Sequence, residues 1–303
     1  MRKFHETSVP DQSGKTFFIT GANTGIGYEA ARVLAARGAR VLIGCRSEER
    51  ARGALDRLRG RVDGADVEWI PLDLARMASV KRAAEQVAAE PRLDVLINNA
   101  GVMIPPKTLT DDGFELQFGV NHLGHFALTG HLLDALVGTA GSRIVTVSSL
   151  AHRSGRIDFE DPHAEKEYHP MRRYQTSKAA NLYFTFELAR RLERAGVDVD
   201  AVACHPGIAD TELSRTFPAM VRFSMPLFRP FFNTPAEGAL PTLMAATKRE
   251  VEPTDYFGPV ARGETARSAG PARVSNHVRD EAVGRRLWDL SVELTGVDYL
   301  AEA

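Results

Sequence analysis

The stretch that most constrains this chain is Thr16 to Arg37. Thr16–Thr20 is a short β-branched and aromatic run, Gly21, Gly25 and Gly27 follow it, and Tyr28–Arg37 has a strong helical pattern. A strand that passes through a glycine turn into a helix aims backbone N–H groups and the positive helix end at one point, which suits a phosphate. Glycine allows the tight turn and lets the backbone approach a pyrophosphate without a Cβ in the way. The spacing is G-x-x-x-G-x-G rather than the commoner G-x-G-x-x-G. Its place between strand and helix points to a dinucleotide.

The rest of the chain repeats the alternation. Strands are expected at Arg40–Gly44, Val67–Leu72, Leu93–Ile97, Arg143–Ser149 and Asp198–Cys204, with helical patterns between them and a last short strand at Asp255–Phe257. This interval is that of right-handed βαβ units. It predicts an α/β chain, a single doubly wound domain over residues 1–303. The parallel sheet should have about seven strands, with helices on both faces. Residues 262–277 read as a Gly/Arg/Ser loop. Residues 280–295 read as a terminal amphipathic helix with Val283, Leu287, Leu290 and Leu294 on one stripe.

Ligands of such sheets gather at the carboxyl ends of the strands, where Gly21, Arg46, Asp73, Asn98 and the pair Ser148–Ser149 all fall. An NAD site usually carries an acid at the end of the second strand, for the ribose 2′-hydroxyl, whereas an arginine accommodates a 2′-phosphate. No acid stands at Gly44, Cys45 or Arg46. Arg46 therefore argues for NADP, with Arg50 as a second candidate contact.

Tyr174 and Lys178 are four apart at the head of an apolar helical run, so they share one face. A free phenol titrates near pH ~10, and a neighbouring ammonium favours the phenolate. The pair is therefore suited to proton transfer. Residues 111–136 read as one long helix containing Asn121, a polar residue that needs partners if buried. His122 and His125 lie three apart on it, but no third ligand is placed near them, so no metal is expected. Residues 217–233, rich in Phe, Met and Pro without a clean period, read as part of a lid at about 209–234 over a lipophilic pocket.

Net charge is −1, which gives no electrostatic case for nucleic acid or an anionic membrane. The two cysteines, far apart, suit a reducing compartment. A polar Met1–Ser13 and the lack of a long apolar stretch predict neither a signal peptide nor a membrane span, and a cytoplasmic location.

Together these residues resemble the short-chain dehydrogenase/reductase family. The resemblance rests on Thr20–Gly27, Asn98–Gly101, Asn121, Ser148–Ser149, Tyr174-x-x-x-Lys178 and Pro206–Gly207, which occur in the family's order. Gly44–Arg46, Val120–Phe126 and Val147–His152 are similar to the retinol dehydrogenase and WW-domain oxidoreductase branch, to which protochlorophyllide reductases are related. The resemblance implies an oxidoreductase with Tyr174 as general acid or base, and Lys178 lowering its pKa and meeting the nicotinamide ribose. Ser149, the second hydroxyl of its pair, would donate to the carbonyl oxygen, and Asn121 would hold a water leading to Lys178. It also implies cofactor contacts. Gly21, Gly25, Ile26 and Gly27 would face the pyrophosphate, Asp73 and Leu74 the adenine, and Asn98 and Ala100 the adenosine ribose, with Asn23, Thr24 and Gly101 as further cofactor contacts. Ile208 and Thr211 would meet the carboxamide and the neighbouring phosphate, and Pro206 and Gly207 would be further cofactor contacts. The segment from Ser149 to Tyr174 is longer than in compact family members and should shape the site entrance.

The expected reaction is hydride transfer between NADP(H) and a small lipophilic ketone, aldehyde or secondary alcohol. Two alternatives stay open, reduction of an activated carbon–carbon double bond and a non-catalytic NADP sensor. The chain could be a homodimer or a monomer.

Overall fold

The computed structural model describes residues 4–208, 233–261 and 263–301. Its centre is a sheet of eight strands in the order β3-β2-β1-β4-β5-β6-β7-β8. In chain order these are β1 (Thr16–Thr20), β2 (Arg40–Cys45), β3 (Val67–Pro71), β4 (Val95–Asn98), β5 (Ser142–Val147), β6 (Val199–Cys204), β7 (Tyr256–Ala261) and β8 (Ala266–Pro271). The first seven run parallel, and β8 returns antiparallel along β7.

The helices are α1 (Gly25–Ala36), α2 (Glu48–Arg61), α3 (Met77–Ala88), α4 (Gly124–Val137), α5 (Pro170–Arg194), α6 (Pro235–Thr247) and α7 (Glu281–Thr295). Strand side chains alternate between the two faces. Phe17, Ile19, Val41 and Ile43 pack with Ala30, Leu34, Leu58 and Leu243 on one side. Phe18, Leu42, Leu96 and Ile144 pack with Phe126, Leu132, Phe184 and Leu188 on the other. Because both faces are covered, the strands read as continuous apolar runs. Strand order reverses between β1 and β4, and that reversal opens a crevice beyond their carboxyl ends.

Three expectations need correction. The loop expected at 262–277 is in part a strand, since residues 266–271 pair with β7 and bring the sheet to eight, close to the seven expected. The long helix starts at Leu116 rather than Asp111, because buried Glu115 accepts from the N–H groups of Gln117 and Phe118, 2.9 Å each, and caps it there. It then passes through a π-helical turn at Gly119–Leu123 before α4. On α7 the buried face is Gly284, Leu287, Trp288 and Ser291, turned from the expected stripe. Glycine at 284 lets the helix approach Glu187 and Arg190 of α5, and Trp288 packs against Phe126, Phe184 and Tyr299. The expected lid, apart from Asn233 and Thr234, lies outside the described residues.

Candidate active site

A cavity of about 410 Å³ occupies the crevice. Its floor is the glycine turn. Gly21 has φ +69°, and a Cβ there would come 3.0 Å from Ala100; a Cβ on Gly27 would come 2.5 Å from Nδ2 of Asn99. The turn is tied to the end of β4. Thr20 Oγ1 accepts the N–H groups of Asn99 and Ala100, both at 2.9 Å, and Asn99 Nδ2 donates to the Thr20 carbonyl at 2.7 Å.

The start of α1 faces this cavity. Thr24 is its N-cap, yet the threonine side chain makes no capping bond and no acid stands in the first turn. The first N–H groups of a helix have no intrahelical partner, so this end suits an anion. A pyrophosphate suits this end, beside a turn where a Cβ on Gly21 or Gly27 would crowd Ala100 or Asn99. Beyond it, Arg46 and Arg50 line the cavity at the end of β2, and Asp73 and Leu74 at the end of β3.

Asn23, Thr24, Gly25, Ile26, Ala100, Gly101 and Pro206 also line the cavity. Asn98 does not. It is fully buried as the last residue of β4, and its Nδ2 donates to Thr129 Oγ1 at 3.1 Å. Its neighbour Asn99 takes the place expected of it, because consecutive strand residues face opposite ways. Gly207 lies beside the cavity, its N–H on His205 Nδ1 at 3.2 Å. Ile208 is exposed, and its carbonyl accepts from Asn233 N at 2.8 Å. Thr211 lies outside the described residues. Asn99, Val102 and Val120 line the cavity without having been singled out from the sequence; the strand parity at Asn98 was the available signal for Asn99.

At the inner end, α5 brings Tyr174 and Lys178 to the wall, 8% and 4% exposed. Pro170 at the helix start presets the first turn. Two bonds fix the helix to β5: Lys178 Nζ and Asn181 Nδ2 both donate to the Val147 carbonyl, at 3.1 Å. Ser148 Oγ adds a third, donating to the Lys178 carbonyl at 2.7 Å. Ser148 lines the cavity; Ser149 does not, its Oγ accepting the Ala151 N–H at 3.2 Å, and its hydroxyl favours the Tyr174 phenolate.

Asn121 sits in the π-helical turn with no exposure. Its Nδ2 donates to the Val102 carbonyl and to Ser177 Oγ, both 2.9 Å, and its Oδ1 accepts from Val102 N at 2.7 Å. Ser177 Oγ in turn donates to the Tyr174 carbonyl at 2.8 Å. A Cβ on Gly101 would stand 3.1 Å from Asn121 Oδ1 and 3.6 Å from Lys178 Nζ, so this glycine keeps the two groups close.

The electrostatics differ from the simplest expectation. A lysine one turn away is expected to lower a phenol's pKa, but burial dominates here and raises that of Tyr174, with the Ser149 hydroxyl opposing it. The Lys178 ammonium lies 5.9 Å from the phenol ring centroid. Burial also lowers Lys178 to about 8.

A doubly wound sheet whose reversal point carries an open glycine turn, with a buried tyrosine and lysine at its far end, defines a nucleotide-dependent oxidoreductase. Residues 15–221 match the short chain dehydrogenase model, and the chain belongs to that family, in its retinol dehydrogenase branch. It is 45% identical to mouse retinol dehydrogenase 14, over 94% of this chain and 86% of that protein. It is 43% identical to human retinol dehydrogenase 11, over 96% and 89%. Among solved structures, an uncharacterised protein from Mycobacterium paratuberculosis superposes with a TM-score of 0.83 at 38% identity, over 98% of this chain and 99% of that one. A short chain dehydrogenase from Burkholderia cenocepacia, solved in complex with NADP, gives 0.63 at 26% identity, over 80% and 96%. Among the described residues, no helix is long and apolar enough to cross a membrane.

Proposed function

We propose that this chain transfers hydride between NADP(H) and a lipophilic ketone, aldehyde or secondary alcohol, with Tyr174 as the acid and base. The observation that carries this reading is the placement of the buried Tyr174 phenol and Lys178 on the cavity wall at its inner end, one turn apart on α5 and beside the Ser148–Ser149 pair. A carbonyl oxygen there would meet a phenol and a hydroxyl together. The nicotinamide supplies the hydride when bound. In reduction, Tyr174 gives its proton to the oxygen as the hydride reaches the carbon, which yields the alcohol; oxidation reverses both transfers. Ser149 stabilises the charge that develops on the oxygen. Lys178 holds positive charge beside the phenol and meets the nicotinamide ribose, and Asn121 holds a water that leads protons to Lys178.

Arg46 supports NADP over NAD, since it is exposed at the end of β2 with no carboxylate at Gly44 or Cys45. Support for an apolar substrate comes from the names of the mouse and human relatives, because retinol is an apolar alcohol. The test is NADPH consumption with a panel of apolar carbonyls, for the wild type and Tyr174→Phe. Turnover by the wild type, lost in the variant while NADPH still binds, is expected. Equal turnover by both would overturn the role of Tyr174.

A further inference from the structure

His125 is buried at the junction of the glycine turn and the π-helical turn, and both of its ring nitrogens are engaged. Nδ1 lies 3.0 Å from the Asn121 carbonyl oxygen and Nε2 lies 2.8 Å from Thr20 Oγ1. These contacts assign every proton. A carbonyl only accepts, so Nδ1 carries the hydrogen and a neutral ring leaves Nε2 as the acceptor. The Thr20 hydroxyl therefore donates to Nε2. The Ile97 carbonyl, at 3.4 Å, is the poorer recipient of that single proton. Both lone pairs of Thr20 Oγ1 are already taken by the N–H groups of Asn99 and Ala100.

The result is one directed chain, from the N–H groups of Asn99 and Ala100 through the Thr20 hydroxyl and the imidazole to the Asn121 carbonyl. Asn121 continues it through its side chain to Ser177, which holds the Tyr174 carbonyl. The π-helical turn, where the helix departs from its regular ladder, is where the ring meets the backbone. A second proton on His125 has no acceptor at Thr20, so the chain requires a neutral ring. Burial and the Lys178 charge agree, since they lower His125 to about 4.

We infer that His125 is a positioning residue that couples the cofactor-binding glycine turn to the Asn121 turn and, through it, to the helix carrying Tyr174. The inference rests on the reading of this cavity as an NADP(H) site. It does not place His125 in contact with cofactor or substrate.

The test uses the full chain and two readouts: NADPH dissociation by fluorescence titration, which is independent of turnover, and kcat at saturating NADPH. His125→Phe keeps a planar ring and removes both bonds. It is expected to raise the NADPH Kd about tenfold and to lower kcat about tenfold, on the scale of one or two lost buried hydrogen bonds. His125→Gln, which offers an amide donor and acceptor, should recover most of the Kd. In a Thr20→Val background, His125→Phe should change Kd by less than about twofold, since the partner is already gone.

A lower Tm for His125→Phe with unchanged Kd and kcat means a purely structural histidine and overturns the proposal. So do independent, multiplying effects of the two substitutions. Failure of the wild type itself to bind NADPH would instead sink the functional reading.

Discussion

Ser148 and Lys178 are joined by a hydrogen bond of 2.7 Å from the serine hydroxyl to the lysine's backbone carbonyl. This bond separates the roles of two adjacent hydroxyls. Ser148 anchors α5 to the end of β5, whereas the Ser149 hydroxyl acts on the Tyr174 phenol, whose pKa it lowers. Ser148→Ala is expected to cost about 1–2 kcal/mol of stability, because it leaves a buried carbonyl without that donor. Ser149→Ala should lower kcat by about 10²–10³, as loss of an oxyanion donor does. Urea denaturation and steady-state rates for both variants check this. A larger kcat loss in Ser148→Ala than in Ser149→Ala would reverse the assignment.

Lys178 should give the cofactor-free enzyme an alkaline limit. Burial holds its folded pKa at about 8, below the unfolded value of about 10.4. The cost of burying its charge is full below pH 8 and is relieved as pH rises from the folded to the unfolded value, so its contribution to stability rises across that window. Its positive charge is lost over the same range. NADPH affinity is therefore expected to fall as pH rises through about 8. The Tyr174 phenol, raised by burial, titrates higher and cannot supply that limb. Binding titrations between about pH 7 and about pH 10 should show the limb in wild type and its loss in Lys178→Met. A limb of the same midpoint in the variant would remove Lys178 as its source.

Arg46 tests the cofactor preference. Aspartate at this position would repel a 2′-phosphate and accept from a 2′-hydroxyl. Arg46→Asp should weaken NADPH by about 100-fold, from loss of a charge-assisted contact plus repulsion, and should improve NADH. Dissociation constants for the two cofactors give the answer. Unchanged NADPH affinity would mean that the 2′-phosphate lies elsewhere.

The sequence revealed elements whose local chemistry repeats, and missed those decided by tertiary contact. The glycine turn and the strand–helix alternation are local signals, and both families of element were legible. β8 was not, because it is an irregular edge strand. Arg267 and Ser268 have φ of 55° and 23°, and the pairing with β7 shifts register between Pro259 and Ala261. No alternation of apolar residues marks such a strand. The buried face of α7 was missed by one position because Gly284 and Trp288 fit α5, which only the folded chain provides. Asn98 and Asn99 are chemically identical, so residue type could not choose between them; strand parity does. Lys178 and Tyr174 were legible as a pair, but the direction of the phenol's shift was not, since it depends on burial.

His122 should make the chain acid-sensitive. Its ring lies among Phe118, Phe126 and Phe184, with centroids 5.2, 6.3 and 5.9 Å away. Ser291 Oγ gives its proton to the Leu287 carbonyl at 2.7 Å, so His122 Nε2 donates to Ser291 at 2.9 Å and Nδ1 is left without a partner. Burial, then the neighbouring His125, lowers its folded pKa to about 3. The unfolded value is about 6.5. The folded value is the depressed one, so the stability of the neutral ring is complete above about pH 6.5 and is lost as pH falls toward 3. Keeping the ring neutral at about pH 5 costs about 2 kcal/mol relative to the unfolded chain. His122→Phe cannot protonate. It should lose about 1–2 kcal/mol near neutrality, from overpacking and a lost hydrogen bond, and regain about 2 kcal/mol on wild type at about pH 5. Urea denaturation at the two pH values measures the difference. If both proteins lose the same stability between them, His122 is not the group that takes up the proton.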